Sequence, residues 1–99
     1  MAIHAIAWAH TMASTKRASP AALLSAALRT QRKALGLTQH ELARLAGCGP
    51  DFIYDLESAK PTIRLDKLLD VLAVLGLELR LDVGKRVLAV AEQLTRSGA

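Results

Sequence analysis

Aromatic residues and cysteine are nearly absent from this sequence, which has one Phe, one Tyr, one Trp and one Cys among 99 residues. A core without aromatic rings must be built from Leu, Ala, Val and Ile, and a Leu- and Ala-rich core favours helices. A single cysteine, Cys48, excludes an internal disulfide and fits a reducing cytoplasm. No apolar run reaches the roughly 18 residues that cross a bilayer, so we expect a soluble protein without a membrane partner.

The sequence also lacks the groupings that catalysis or metal binding requires. His4, His10 and His40 are not spaced as metal ligands, and there is no second cysteine to complete a zinc site. The acidic residues are scattered, and no Gly-rich phosphate loop occurs. These absences predict a protein that is not an enzyme and that has no cofactor, no metal and no small-molecule substrate.

The length and charge of the chain suit one small nucleic-acid-binding domain with tails. Thirteen Lys and Arg residues against nine Asp and Glu give a net charge of +4 and a pI near 9.7, a balance compatible with a nucleic-acid partner. We divide the chain into an N-terminal arm (1–18), a helical domain (19–76), a strand (77–83) and a C-terminal extension (84–99).

The helical domain begins with two helices that carry their own start and stop signals. Ser19 and Pro20 are typical of a helix start, and the sequence predicts that Gly36 ends this first helix. Thr38 and Glu41 form a T-x-x-E capping box, so a second helix should begin at Gln39 and end at Gly47. The apolar positions expected to face the core are Leu24, Ala27, Leu28 and Leu35, with Gln31 on the same stripe, and Leu42, Leu45 and Ala46 in the second helix.

Two further helices are predicted after Gly47. The third opens near Gly49 and Pro50, and the fourth follows Asp66 and is closed by Gly76. Their predicted inward residues are Ile53 and Leu56 in the third helix, and Leu68, Leu69, Leu72 and Leu75 in the fourth. A last short helix over 86–95 is also expected.

Apolar residues occur at every second position over "LELRLDV", residues 77–83. Its apolar face consists of Leu77, Leu79, Leu81 and Val83, and this alternation is typical of a half-buried strand. A lone strand leaves its backbone groups unpaired, and the chain offers no second strand of similar quality. We therefore expect a homodimer in which two copies form an antiparallel ribbon. Charge pairing favours a register centred on Leu79 or Leu81 over one centred on Arg80.

The segment "LRTQRKALGLTQHELARLAG", followed by "I..LE" and a "KPT" loop, resembles the helix-turn-helix of the Xre/Cro-type DNA-binding proteins. The string "AKPTIRLDKLLDVLAVLGLELRLDV" is similar to the HipB-like antitoxin branch of that family. The resemblance implies a mostly α domain of four to five helices with one C-terminal strand that forms an intersubunit ribbon. It also implies an ion pair between Arg32 and Glu57 that locks helix one to helix three.

The resemblance places a DNA-binding surface on helices two and three and on the loop that follows. The residues assigned to that surface are Thr38, Gln39, Arg44, Gly49, Pro50, Asp51, Tyr54, Lys60 and Arg64. Gly49 and Pro50 replace polar residues that often begin this helix, so phosphate contacts should outweigh base contacts. Lys67 is a further candidate for a phosphate contact.

Three residues of the third helix have two interpretations each. Asp51 either offsets the helix dipole or accepts a hydrogen bond from a cytosine amino group. Asp55 either faces phosphate, which it would repel, or pairs with a nearby basic side chain. Phe52 either packs at the edge of the core or stacks on a base. In the turn before this helix, Cys48 is either a buried small hydrophobic residue or a redox-sensitive thiol.

The function that these features predict is a sequence-specific, dimeric repressor that binds a palindromic operator in double-stranded DNA. By resemblance it would be the antitoxin of a HipBA-like module in the bacterial cytoplasm, associated with the nucleoid, and its partner would be a HipA-like serine/threonine kinase toxin. The alternatives are a stand-alone Xre-type regulator, or a protein-interaction scaffold with weak DNA binding.

Overall fold

The computed structural model describes residues 19–84, 88–91 and 94, and the predicted arm 1–18 lies outside these residues. Four helices follow one another: α1 (Pro20–Ala34), α2 (Gln39–Ala46), α3 (Pro50–Glu57) and α4 (Leu65–Leu75). The expectation of a mostly α domain is confirmed. The fourth helix starts earlier than predicted, so that Asp66 lies in its first turn instead of before it.

The starts of α1 and α2 are stabilised by the side chains that the sequence predicts. The Ser19 hydroxyl accepts a hydrogen bond from the Ala22 amide at 3.1 Å. Thr38 accepts from the Glu41 amide at 3.0 Å, and the Glu41 carboxylate accepts from the Thr38 amide at 2.8 Å. Both bonds of the capping box are therefore present, and they set the direction in which α2 leaves α1.

All four helices are followed by a residue in the left-handed region of φ. Three of these residues are the predicted glycines Gly36, Gly47 and Gly76, and the fourth is Ala59, after α3, with φ of 64°. The Lys60 amide donates to the Asp55 carbonyl at 3.0 Å, and the Ala59 amide donates to the Leu56 carbonyl at 3.4 Å. This is the Schellman geometry, which usually contains glycine. An L-residue costs about 1 to 2 kcal/mol in this conformation.

The core lies where α2 packs against α3 and α4, and where α1 packs against the same two helices. Its buried members are Leu28, Leu42, Ala43, Ile53, Leu56, Leu68, Val71, Leu72 and Leu75.

Three leucines predicted to face the core are exposed. Leu35, Leu45 and Leu69 keep 49%, 57% and 46% of their surface accessible. Successive helical residues are rotated by about 100°, so Leu69 turns out of the stripe that contains Leu68, and Leu45 lies beyond the edge of the buried face of α2. Leu35 follows the last residue of α1 and is its C-cap.

The segment 77–83 follows Gly76, which ends α4 in the left-handed conformation, and the segment is not helical. Leu77 packs against the core, but Leu81 and Val83 are fully exposed. The described residues contain no strand, so the predicted intersubunit ribbon stays a prediction.

The predicted helix over 86–95 is wrong at residues 88–91, which are not helical, whereas Leu94 is helical. Such a short helix is marginal unless one face is packed. Within the described ranges, no helix is both long and apolar enough to span a bilayer.

Candidate nucleic-acid interface

Two short helices and the turn 47–49 form the corner of the candidate interface. The left-handed Gly47 reverses the chain after α2, and Pro50 starts α3 with Gly49 as its N-cap. Ile53 on α3 is fully buried. The opposite side of α3 therefore faces solvent, and Asp51 and Tyr54 are exposed there.

A buried carboxylate fixes the orientation of α3. Glu57 has 3% of its side chain exposed and lies 2.7 Å from Arg32 Nε. A second bond of 2.9 Å joins Arg32 Nη2 to Glu57 Oε1, so the contact is bidentate. Gln39 Nε2 donates to the same Oε1 atom at 3.1 Å. One side chain therefore links α3 to α1 and to the first residue of α2.

Two further links between helices come from α1 and were not assigned from the sequence. Arg29 Nη2 donates to the backbone carbonyl of Glu57 at 2.6 Å, which places a cation at the negative end of α3. Gln31 Nε2 donates to the Leu75 carbonyl at 2.9 Å, at the end of α4. The signal for Arg29 was its spacing, because it lies three residues before Arg32 and shares a helix face with it.

The environment of Glu57 lowers the pKa of its carboxyl group below the ordinary value of 4.5. Burial alone raises the pKa, because it disfavours the charged form. The hydrogen bonds from Arg32 and Gln39 and the attraction of Arg32 and Arg29 outweigh that effect. The charged carboxylate therefore contributes stability that is fully present above pH 4.5 and is lost as the pH falls through the folded-state pKa.

We expect the free energy of unfolding to depend on pH through Glu57. Below about pH 4.5 it should fall more steeply with decreasing pH in the wild type than in Glu57→Gln, because the neutral amide binds no proton on unfolding. Urea denaturation followed by circular dichroism between pH 3 and 7 measures both slopes. Equal slopes would show that other carboxylates account for the acid sensitivity.

Two of the four cations predicted to contact phosphate form ion pairs within the domain. Lys60 Nζ lies 3.4 Å from Asp55 Oδ2. Arg64 binds Asp66 through two bonds of 3.1 and 2.6 Å, and this arginine and the Lys67 amide lower the pKa of Asp66.

Arg44 and Lys67 form no ion pair within the part of the chain that the structure describes. Arg44 is exposed near the end of α2. Lys67 Nζ lies 5.9 Å from the centre of the Phe52 ring, a distance at which a cation is attracted to the ring face.

The remaining predicted DNA-binding residues divide by their exposure. Thr38, Gly49, Pro50, Asp51 and Tyr54 are exposed, and Gln39 is half-buried. The Thr38 hydroxyl is engaged in the cap of α2.

The side chains of Phe52 and Cys48 are half-buried and pack against the core. Desolvation raises the pKa of the Cys48 thiol, which disfavours a reactive thiolate. Within the described ranges, no group of three or more His, Cys, Asp and Glu residues is placed to hold a metal ion.

The helix-turn-helix family HTH_3 matches residues 28–81, more than half of the chain. The chain belongs to this helix-turn-helix family. The matched range runs from the middle of α1 through all of α4 and into the segment 77–83. The corner of α2 and α3 is therefore the helix-turn-helix of a DNA-binding domain.

One relative carries the same assignment in its name. Sinorhizobium fredii (strain NBRC 101917 / NGR234) has a protein described as "Uncharacterized HTH-type transcriptional regulator y4mF", which is 48% identical to this chain over 61 residues. The aligned part covers 62% of this chain and 80% of that protein. This helix-turn-helix protein is thus a transcriptional regulator with a DNA-binding domain.

Proposed function

We propose that the protein is a sequence-specific repressor that binds a palindromic operator as a homodimer. The observation that carries this proposal is the solvent-facing side of α3, which is held in one orientation by the buried contact between Arg32 and Glu57. A symmetric dimer would place two such helices about 34 Å apart, in successive major grooves.

The exposed side chains supply more contacts for phosphate than for bases. Arg44, Lys60 and Arg64 are cations around the helix-turn-helix, and Gln39 is aligned by Glu57. Together with Thr38, these residues are the proposed phosphate contacts, which give affinity and position.

We propose that recognition of the DNA sequence depends on the first turn of α3. Asp51 lies in its first turn and is the proposed acceptor for a cytosine amino group; the same position offsets the helix dipole. Gly49 and Pro50 allow close approach but add no side-chain donor. Tyr54, one turn further along, completes the proposed base-facing surface.

The antitoxin role is a finer part of the proposal. It is supported by the similarity of residues 59–83 to the HipB-like branch, whose members bind a HipA-type serine/threonine kinase and repress their own operon. The homodimer is supported by the exposed apolar residues Leu79, Leu81 and Val83. A kinase gene beside the gene for this protein would separate an antitoxin from a stand-alone regulator.

A protein-interaction scaffold with weak DNA binding is the second candidate. The acidic composition of α3 favours it, because Asp51 and Asp55 are both on this helix and Asp55 pairs with a cation that would otherwise face phosphate.

A mobility-shift assay separates the two candidates. We expect the wild type to bind the upstream region of its own gene more tightly than a scrambled duplex, by about 10³-fold or more. We also expect Arg44→Gln to weaken binding to both duplexes alike and to reduce the salt slope by about 1 per bound domain. Equal affinity for the two duplexes at moderate salt would favour the scaffold and overturn the repressor.

A further inference from the structure

The end of α3 places an acid and a base side by side on the proposed DNA surface. The Schellman bond brings the Lys60 amide to 3.0 Å from the Asp55 carbonyl, and the Lys60 ammonium lies 3.4 Å from the Asp55 carboxylate. The backbone itself therefore holds the two residues together. The left-handed conformation of Ala59 between them is part of this geometry.

We propose that Asp55 competes with DNA phosphate for Lys60 and so limits the affinity of the domain for DNA of any sequence. This inference rests on the proposed phosphate contact of Lys60. A phosphate can take up Lys60 only by displacing the carboxylate, which then remains near the DNA backbone as a repelling charge. DNA that is bound in a position that places a phosphate next to Lys60 overcomes this competition, whereas loosely bound DNA does not.

The neighbouring ion pair of Arg64 and Asp66 is closer, with a shortest distance of 2.6 Å. It is less suitable for a first test, because the Asp66 carboxylate also accepts from the Lys67 amide in the first turn of α4. Asp55 and Lys60 have about half of their side chains exposed, at 46% and 52%. Exposed pairs of this kind contribute little to stability, so substitutions there should leave the fold intact.

The test is a double-mutant cycle on a non-specific duplex at 0.1 M salt, with wild type, Asp55→Asn, Lys60→Gln and the double variant. Freeing Lys60 for one more phosphate should steepen the salt slope by about 0.9 and raise affinity about tenfold per bound domain. In the Lys60→Gln background, the same Asp55→Asn change should raise affinity only about two- to threefold, because only repulsion is relieved.

Asp70→Asn is the matched control. Asp70 is exposed on α4 and lies outside both the helix-turn-helix corner and the segment 77–83. The Asp70→Asn substitution removes the same charge, so its effect on affinity measures the contribution of net charge alone. Thermal unfolding and light scattering should show that all variants keep the fold and the oligomeric state of the wild type.

Two outcomes would overturn the inference. Equal gains from Asp55→Asn in both backgrounds would show that the carboxylate acts by repulsion alone, and no gain would show that it does not face DNA. The proposed repressor function is judged separately, by the preference of the wild type for its operator over the scrambled duplex. A protein that lacks this preference can still gain more affinity from Asp55→Asn when Lys60 is present than when it is absent. A protein that has the preference can lack that difference.

Discussion

Glu57→Ala is expected to lower the free energy of unfolding by about 3 to 5 kcal/mol. The substitution leaves the Arg32 guanidinium buried, with 10% of its side chain exposed, and removes its bidentate partner. Arg29 and Gln39 also lose contacts with the carboxylate. A domain of this size has a total stability of about 5 to 15 kcal/mol, so the variant should lose a large share of its stability and unfold at a clearly lower urea concentration than the wild type. Urea denaturation at low temperature measures the difference.

The double variant Arg32→Met/Glu57→Leu tests the cause of that loss. If the cost comes from an uncompensated buried charge, removing both charges should restore most of the stability, because apolar pairs often replace buried ion pairs at little cost. Substitution of both members of the exposed pair Lys60 and Asp55 should change stability by less than about 1 kcal/mol. A double variant as unstable as Glu57→Ala would show that the loss lies in packing and not in the charge.

The sequence is informative about where these helices begin and end because single residues with distinct chemistry mark those points. Ser19 and Thr38 accept hydrogen bonds from amides that no helical carbonyl can reach. Gly36 and Gly47 adopt a positive φ that most other residues avoid. The same logic fails after α3, since Ala59 adopts this conformation without a sequence signal. The sequence alone therefore did not decide whether Lys60 pairs with Asp55, because this pairing depends on the backbone conformation at the end of α3.

The orientation of individual leucines was harder to predict than the helices themselves. In a helix of 8 residues such as α2, a small rotation decides whether a position at the edge of the apolar stripe is covered, and Leu45 is not. Leu69 differs from Leu68 only by its angle around α4. Which edges are buried depends on how the helices cross, and that is a property of tertiary packing. The contact of Arg29 with the end of α3 depends on the same crossing.

Leu79→Asp combined with Leu81→Asp is expected to convert the protein into monomers and to reduce operator affinity by about 10²- to 10⁴-fold. Affinity falls because a monomer binds only one half-site. In a dimer, binding of the first domain holds the second domain at a high effective concentration near the other half-site. Leu79 and Leu81 are 45% and 100% exposed, so the change should not disturb the core. The backbone of 78–83 makes no hydrogen bond to the four helices, which leaves its amides and carbonyls available to a second copy. Analytical ultracentrifugation and a mobility shift measure the two effects.

The exposed leucines of α4 provide the matched control for this interpretation. Leu65 and Leu69 are 59% and 46% exposed and are also apolar, but their backbone groups belong to a helix and cannot pair with another strand. Leu65→Asp/Leu69→Asp should therefore leave the dimer intact in analytical ultracentrifugation. If this variant is monomeric and Leu79→Asp/Leu81→Asp remains dimeric, the copies meet through α4, and the ribbon is not their contact. If both variants are monomeric, the interface extends over the end of α4 and the segment 77–83 together, and side-chain packing contributes to it as well as strand pairing.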